Sequence, residues 1–147
     1  MNTQARPLTL VIAHGPANAA MLPSLVAQVK GAQIQVATIV VNARALESLA
    51  PWVGADAVIF THDLPGMTPE LIQELLQQPD RPIAAVGIFP TGTALTIARY
   101  HAAGMKGCLT LPLEDPQLQA LPDLIHQAVD TAWNERIAAQ AQFAVAA

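Results

Sequence analysis

Side chains able to do chemistry are sparse in this chain. Its 147 residues include four histidines, one cysteine, eleven aspartates and glutamates, and seven lysines and arginines. Two places bring reactive types close to the end of an apolar run: His14 follows Leu8 to Ala13, and Thr61, His62 and Asp63 follow Ala55 to Phe60. Two imidazoles and a carboxylate could ligate Zn²⁺ if all three converged on one point. His62 comes directly after Thr61 and is expected to point away from His14, so the histidines read as solvent-facing or backbone-bonded, and no metal site is expected. The Thr61 hydroxyl, at a strand end, is poorly placed for a kinase and reads as a strand cap. Cys108 lies among apolar neighbours and reads as a small inert hydrophobe. No nucleophile has a base beside it, so no catalytic residue is expected and the chain is not expected to be an enzyme. Both GxGxxG and GxxxxGK[ST] are absent from the sequence, which removes the usual cradles for a dinucleotide or a nucleoside triphosphate. No cofactor is expected.

Five short apolar runs must position these residues: Leu8 to Ala13, Ile34 to Val41, Ala55 to Phe60, Ile83 to Ile88 and Gly107 to Leu111. All but the second are too short for helices, and the second is rich in β-formers. Runs apolar on both faces imply parallel strands in a sheet covered on both sides. Between and after them lie helical stretches over Ala17 to Lys30, Ala43 to Trp52, Pro69 to Gln78, Pro90 to Ala103 and Pro116 to about Gln140. Thr68 before Pro69 and Asp115 before Pro116 offer N-caps followed by a proline that loses nothing at the first helical position. Gly31, Gly54 and Gly104 mark helix ends. In the last stretch Leu118, Leu121, Ile125, Ala128, Val129, Ala132 and Ile137 form one apolar stripe, and Pro122 lies within it, so the helix either starts late with Pro122 in its first turn or is kinked there. This alternation predicts an α/β domain over residues 1–140, with 141–147 as a tail or the start of a linker.

Composition excludes several functions. Apolar residues make up 52% of the chain and charged residues 12%, which is incompatible with a disordered chain or a coiled coil. A net charge of −4 with scattered basic residues provides no stripe for phosphates, so direct nucleic-acid binding is not expected. No apolar stretch reaches the ~18 residues of a membrane span, and no membrane insertion is expected. The lone cysteine excludes an internal disulfide and fits a reducing compartment, so the cytoplasm is expected.

The stretch Ala55-Asp56-Ala57-Val58-Ile59-Phe60-Thr61-His62-Asp63-Leu64-Pro65-Gly66-Met67 resembles the third strand and following loop of a response-regulator receiver domain. The stretch Gly104-Met105-Lys106-Gly107-Cys108-Leu109-Thr110-Leu111-Pro112-Leu113 resembles its fifth strand. The resemblance covers residues 7–135. It implies a flavodoxin-like (CheY-like) three-layer sandwich whose five-stranded parallel sheet has the order 2-1-3-4-5, with five helices. It also gives Pro65 and Gly66 a structural role in the loop and Pro112 one after the last strand, where the Leu111-Pro112 bond is expected to be cis.

The family's functional residues do not carry over. A receiver holds Mg²⁺ with two acidic residues after the first strand, and those positions read Ala13 and His14. The phosphate-accepting aspartate corresponds to Thr61, the Ser/Thr of the fourth strand to Gly87 and the lysine of the fifth to Leu111. Losing one charge-stabilising contact in such a site typically costs ~3 kcal/mol, and here every one is missing. Asp63 and Lys106 are expected to be displaced from the site, since moving either into it takes a register change.

The resemblance therefore implies a pseudo-receiver: a non-catalytic domain for signalling or protein localisation, acting through a protein partner or as a homodimer. The face of the fourth helix with Arg99, Tyr100 and His101 corresponds to the surface receivers commonly use for contacts. Receivers without the acidic site also resemble the N-terminal domain of pilus-assembly ATPases of the TadZ/CpaE type, which implies an ATPase or other output domain in a full-length protein. The alternatives are a working phosphorelay receiver with an atypical acceptor and a flavodoxin-like protein that binds a small ligand.

Overall fold

In the computed structural model, residues 7–30, 32–49, 54–77 and 82–146 are described. Gly31, Trp52 and Gln78, where three of the predicted helices were to end, lie outside them. The elements alternate in chain order: β1 (Leu8–Ala13), a 3-10 turn (Pro16–Met21), α1 (Leu22–Lys30), β2 (Ile34–Val40), α2 (Ala43–Leu49) and β3 (Ala57–Thr61). There follow α3 (Pro69–Gln77), β4 (Ala84–Pro90), α4 (Ala94–Ala102), β5 (Gly107–Leu111) and α5 (Asp115–Ala146). The five strands pair in parallel in the order β2-β1-β3-β4-β5. This is the predicted topology, and the Leu111-Pro112 peptide bond is cis.

Strands buried on both faces divide the core into two layers. Val11, Ala13, Val58, Phe60, Ala85 and Phe89 point into one, covered by Leu46 of α2, Ile72 and Leu75 of α3 and Tyr100 of α4. Leu10, Ile12, Ile59, Val86 and Ile88 point into the other, covered by Leu25 and Val29 of α1 and by Leu121, Ile125 and Val129 of α5. Strict alternation along β1, β3 and β4 serves both layers at once, as a doubly covered sheet requires. The edge strand β2 does so differently. Its register slips between Leu10 and Val11, which leaves Ala37 as an extra residue, so Ile34 and Val36 face the α1 layer while Val40 faces the other.

Several element ends differ from the sequence reading. Pro90 closes β4 instead of opening α4, which starts four residues later at Ala94, and the Thr93 hydroxyl donates to the Pro90 carbonyl at 2.7 Å. Proline suits that position because β4 ends there and its missing N–H leaves no interior ladder bond unmade. The first helical stretch starts with a 3-10 turn before α1. Thr68 caps α3 as predicted, accepting the Leu71 N–H at 3.1 Å. At α5 the cap lies one residue earlier than Asp115: the Gln117 amide oxygen accepts the Glu114 N–H at 2.9 Å, the reciprocal half of a capping box. Helix α5 starts before Pro122, runs through it and continues past Gln140 to Ala146; its buried stripe ends at Ala132, and Ile137, expected on that stripe, is exposed.

Candidate functional site at the carboxyl edge of the sheet

Parallel strands gather their carboxyl ends on one edge, and in an α/β sheet ligand chemistry is placed there. Ala13 ends β1, Thr61 ends β3 and Leu111 ends β5, while Gly87 lies in β4 opposite Phe60. His14 follows Ala13, and its backbone N–H donates to Val40, extending the β1–β2 ladder.

Ala13, His14, Thr61, Gly87 and Leu111, the positions that the resemblance assigns to a receiver site, carry no carboxylate and no primary amine. Ala13 is core, and His14 is buried with Nδ1 3.1 Å from the Gly15 carbonyl. Thr61 has no exposed surface; its hydroxyl accepts the Gly15 N–H at 2.9 Å and donates to Asp63 Oδ1 at 2.7 Å. Leu111 is half-buried against the α1/α5 layer. At Gly87 a Cβ would stand 2.4 Å from the Phe89 ring, 2.8 Å from Met105 Sδ and 2.9 Å from the Phe60 ring. A serine or threonine has no room there.

Asp63 is the main correction to the sequence reading, which keeps it away from the site. It lies past the end of β3, where strand alternation no longer fixes its direction, and its carboxylate turns back over the sheet edge. Oδ1 accepts the Thr61 hydroxyl and, at 2.5 Å, Asn18 Nδ2; Oδ2 accepts the Ala17 N–H at 2.8 Å. Partial burial pushes this carboxyl up, but the hydrogen bonds from Thr61, Asn18, the Ala17 amide and its own amide outweigh that and hold it below its ordinary value of 3.8. Gly15 is required for this approach, because a Cβ would fall 2.2 Å from the Asp63 carbonyl oxygen and 2.4 Å from its carboxyl group. The donor set does not fit Mg²⁺, a hard cation that takes carboxylate oxygens: the carboxylate at this edge has both oxygens committed to N–H and O–H donors.

The loop after β3 is held by a four-residue turn in which Met67 N–H donates to Leu64 O at 3.2 Å, with Pro65 second and Gly66 third at φ +85°. Proline then glycine is the type II pattern. Pro65 O accepts the Ala43 N–H at 2.9 Å, which docks the turn on the start of α2. Among the described residues no three histidines, cysteines or carboxylates come together as metal ligands. His62 is exposed, and Lys106, at the opposite end of β5, pairs with Glu135.

Tyr100 corrects a second expectation. Arg99 and His101 are exposed on α4, but Tyr100 is 7% exposed and faces inward. Its ring centroid lies 5.2 Å from that of Phe60 and 5.4 Å from that of Phe89, and Phe60 meets Phe89 edge to face at 5.9 Å. Burial pushes its phenol up, the Glu70 charge adds to that and Arg99 opposes it. Two of this trio, Phe60 and Phe89, fill the space beside Gly87 together with Met105. Ile97 and Tyr100, three apart with Met105 beyond, carried a readable core-facing signal. Cys108 is half-buried at the rim of the same layer, and burial pushes its thiol up.

No protein-family model matches this sequence, and no curated protein matches it. Solved structures do. The signal receiver domain of an HD domain-containing protein from Pseudomonas fluorescens Pf-5 superposes with a TM-score of 0.71 at 21% identity, over 92% of this chain and 96% of that one. A CheY-like response-regulator receiver domain protein from Methanospirillum hungatei JF-1 gives 0.69 at 15% identity, over 88% and 98%. A pilus assembly protein (CpaE) from Burkholderia thailandensis E264 gives 0.65 at 19% identity, over 84% and 98%. At such identities the likeness establishes architecture, and the architecture of this chain is that of a response-regulator receiver domain.

Proposed function

We propose that this chain is a pseudo-receiver: a non-catalytic domain that works through protein contacts and takes up no phosphoryl group at the family's aspartate position. The observation that carries the reading is the state of the sheet edge. Thr61, fully buried, stands at the β3 end, and the nearby Asp63 carboxylate accepts hydrogen bonds on both oxygens from Thr61, Asn18 and Ala17. Phosphoryl transfer to a carboxylate needs a cation to offset charge on the transferring group, and this donor set offers none. Incubation with acetyl phosphate and Mg²⁺ followed by intact-mass measurement is expected to leave the mass unchanged. A stable gain of one phosphoryl group would make the protein a working receiver with an atypical acceptor instead.

The proposed contact surface is the face of α4, continued by the β5 edge and α5. Leu95 is 78% exposed there, beside exposed Ala98, Arg99 and His101. A chain with so few charges desolvates such a face at low cost. The partner is a second copy or another protein of the cytoplasm, and in a longer polypeptide an output domain such as an ATPase; the CpaE likeness supports that last reading by analogy of fold alone. Self-association without any phosphoryl donor is expected in sedimentation at high micromolar concentration. A strictly monomeric profile, unmoved by candidate partners, would count against contact as the function.

A further inference from the structure

We propose that the Asp63 carboxylate is a tethered internal ligand, which fills a cradle of hydrogen-bond donors at the carboxyl edge of the sheet and straps the β3–α3 loop to the segment that follows β1. The inference deepens the pseudo-receiver reading, since it concerns the same edge, but it stands on contacts that need no phosphoryl donor to test.

The cradle is assembled from both sides. Ala17 N–H and Asn18 Nδ2 come from the 3-10 turn, and the Thr61 hydroxyl comes from β3; all three donate to the one carboxylate. Thr61 is itself fixed from across the cleft, because its oxygen accepts the Gly15 N–H. The strap thus joins residues 45 and 46 positions apart in sequence. Hydrogen bonds to an ionised acceptor are roughly twice as strong as neutral ones, and three of them converge here. The fit is close: with hydrogen alone at Gly15 the Asp63 group is accommodated, and a Cβ would overlap it. Removing the carboxylate therefore leaves oriented donors without an acceptor, a cavity matched to a small free carboxylate.

The test is chemical rescue of Asp63→Ala. Amide exchange of Ala17, whose N–H donates directly to the carboxylate, is expected to accelerate by roughly tenfold or more, the factor that corresponds to one lost charge-assisted hydrogen bond. Exchange in β4 is expected to stay as it is. Sodium formate, compared with sodium chloride at equal ionic strength, is expected to restore part of the protection in the variant and none in the wild type. Unchanged exchange in Asp63→Ala, or equal effects of formate and chloride, would overturn the proposal. If that variant does not fold, Asp63→Asn keeps the shape and removes the charge. It is then expected to show intermediate protection that formate does not improve, and wild-type protection in it would equally overturn the strap. Phosphoryl uptake in the mass experiment would sink the pseudo-receiver reading while leaving these outcomes intact.

Discussion

Single residues decide what this sheet edge can hold. Asp63 has a folded pKa below its ordinary 3.8, so its contribution to stability is fully present above that value and is lost as pH falls through the lower folded value. Thermal unfolding scanned from pH 6 to pH 2 is expected to show a fall below about pH 4 that is smaller in Asp63→Asn. Gly87→Ser is expected to cost about 1–3 kcal/mol, because its side chain has to displace the Phe89 ring or Met105; denaturant melts measure it. The sequence reads Ala13, His14, Thr61, Gly87 and Leu111 at the five positions that the resemblance assigns to a receiver site. It did not show the Asp63 carboxylate returning to the edge. Alternation constrains a residue inside a strand, whereas one residue past Thr61 and its neighbour the chain is free to turn, and the close approach at Gly15 together with donors from Ala17, Asn18 and Thr61 fixes where the group lands.

At the scale of elements, hydrophobic period was enough to place five strands and five helices, because each strand is a short, mostly apolar run and each helix has a stripe. Ends were less legible. Pro90 carries a helix-start signal in isolation, but the β4 ladder reaches it through pairing with Leu111, a contact no local pattern encodes. Pro122 was ambiguous for the same reason. Packing of Leu121 and Ile125 against the sheet carries α5 across it, at the cost of the bond that a residue 122 N–H would make to the Leu118 carbonyl. Pro122→Ala is therefore expected to stabilise the protein, by up to about 3 kcal/mol, read as a rise in melting temperature. Phe89→Ala, which opens the aromatic trio, is expected to lose about 3–5 kcal/mol.

The whole molecule is two cores divided by one sheet. Residues such as Leu46 and Ile125 lie in different layers and share no cluster, so losses from Leu46→Ala and Ile125→Val are expected to add within ~0.5 kcal/mol in a double-mutant cycle. The outer surface has its own logic. Leu95→Glu is expected to weaken self-association in sedimentation while leaving the melting temperature in place, since Leu95 packs on nothing in either layer.

The surplus residue at Ala37 bears on solubility. Because facing already alternates correctly on either side of it, Ala37 is the position in β2 where the polypeptide can be shortened by one without turning any neighbour inside out. Excision would leave a smoother, uninterrupted border ending near the exposed Ile39 and Val41. Such a border is a template for pairing with other chains. The shortened protein is therefore expected to fold normally yet aggregate at lower concentration, as light scattering can detect.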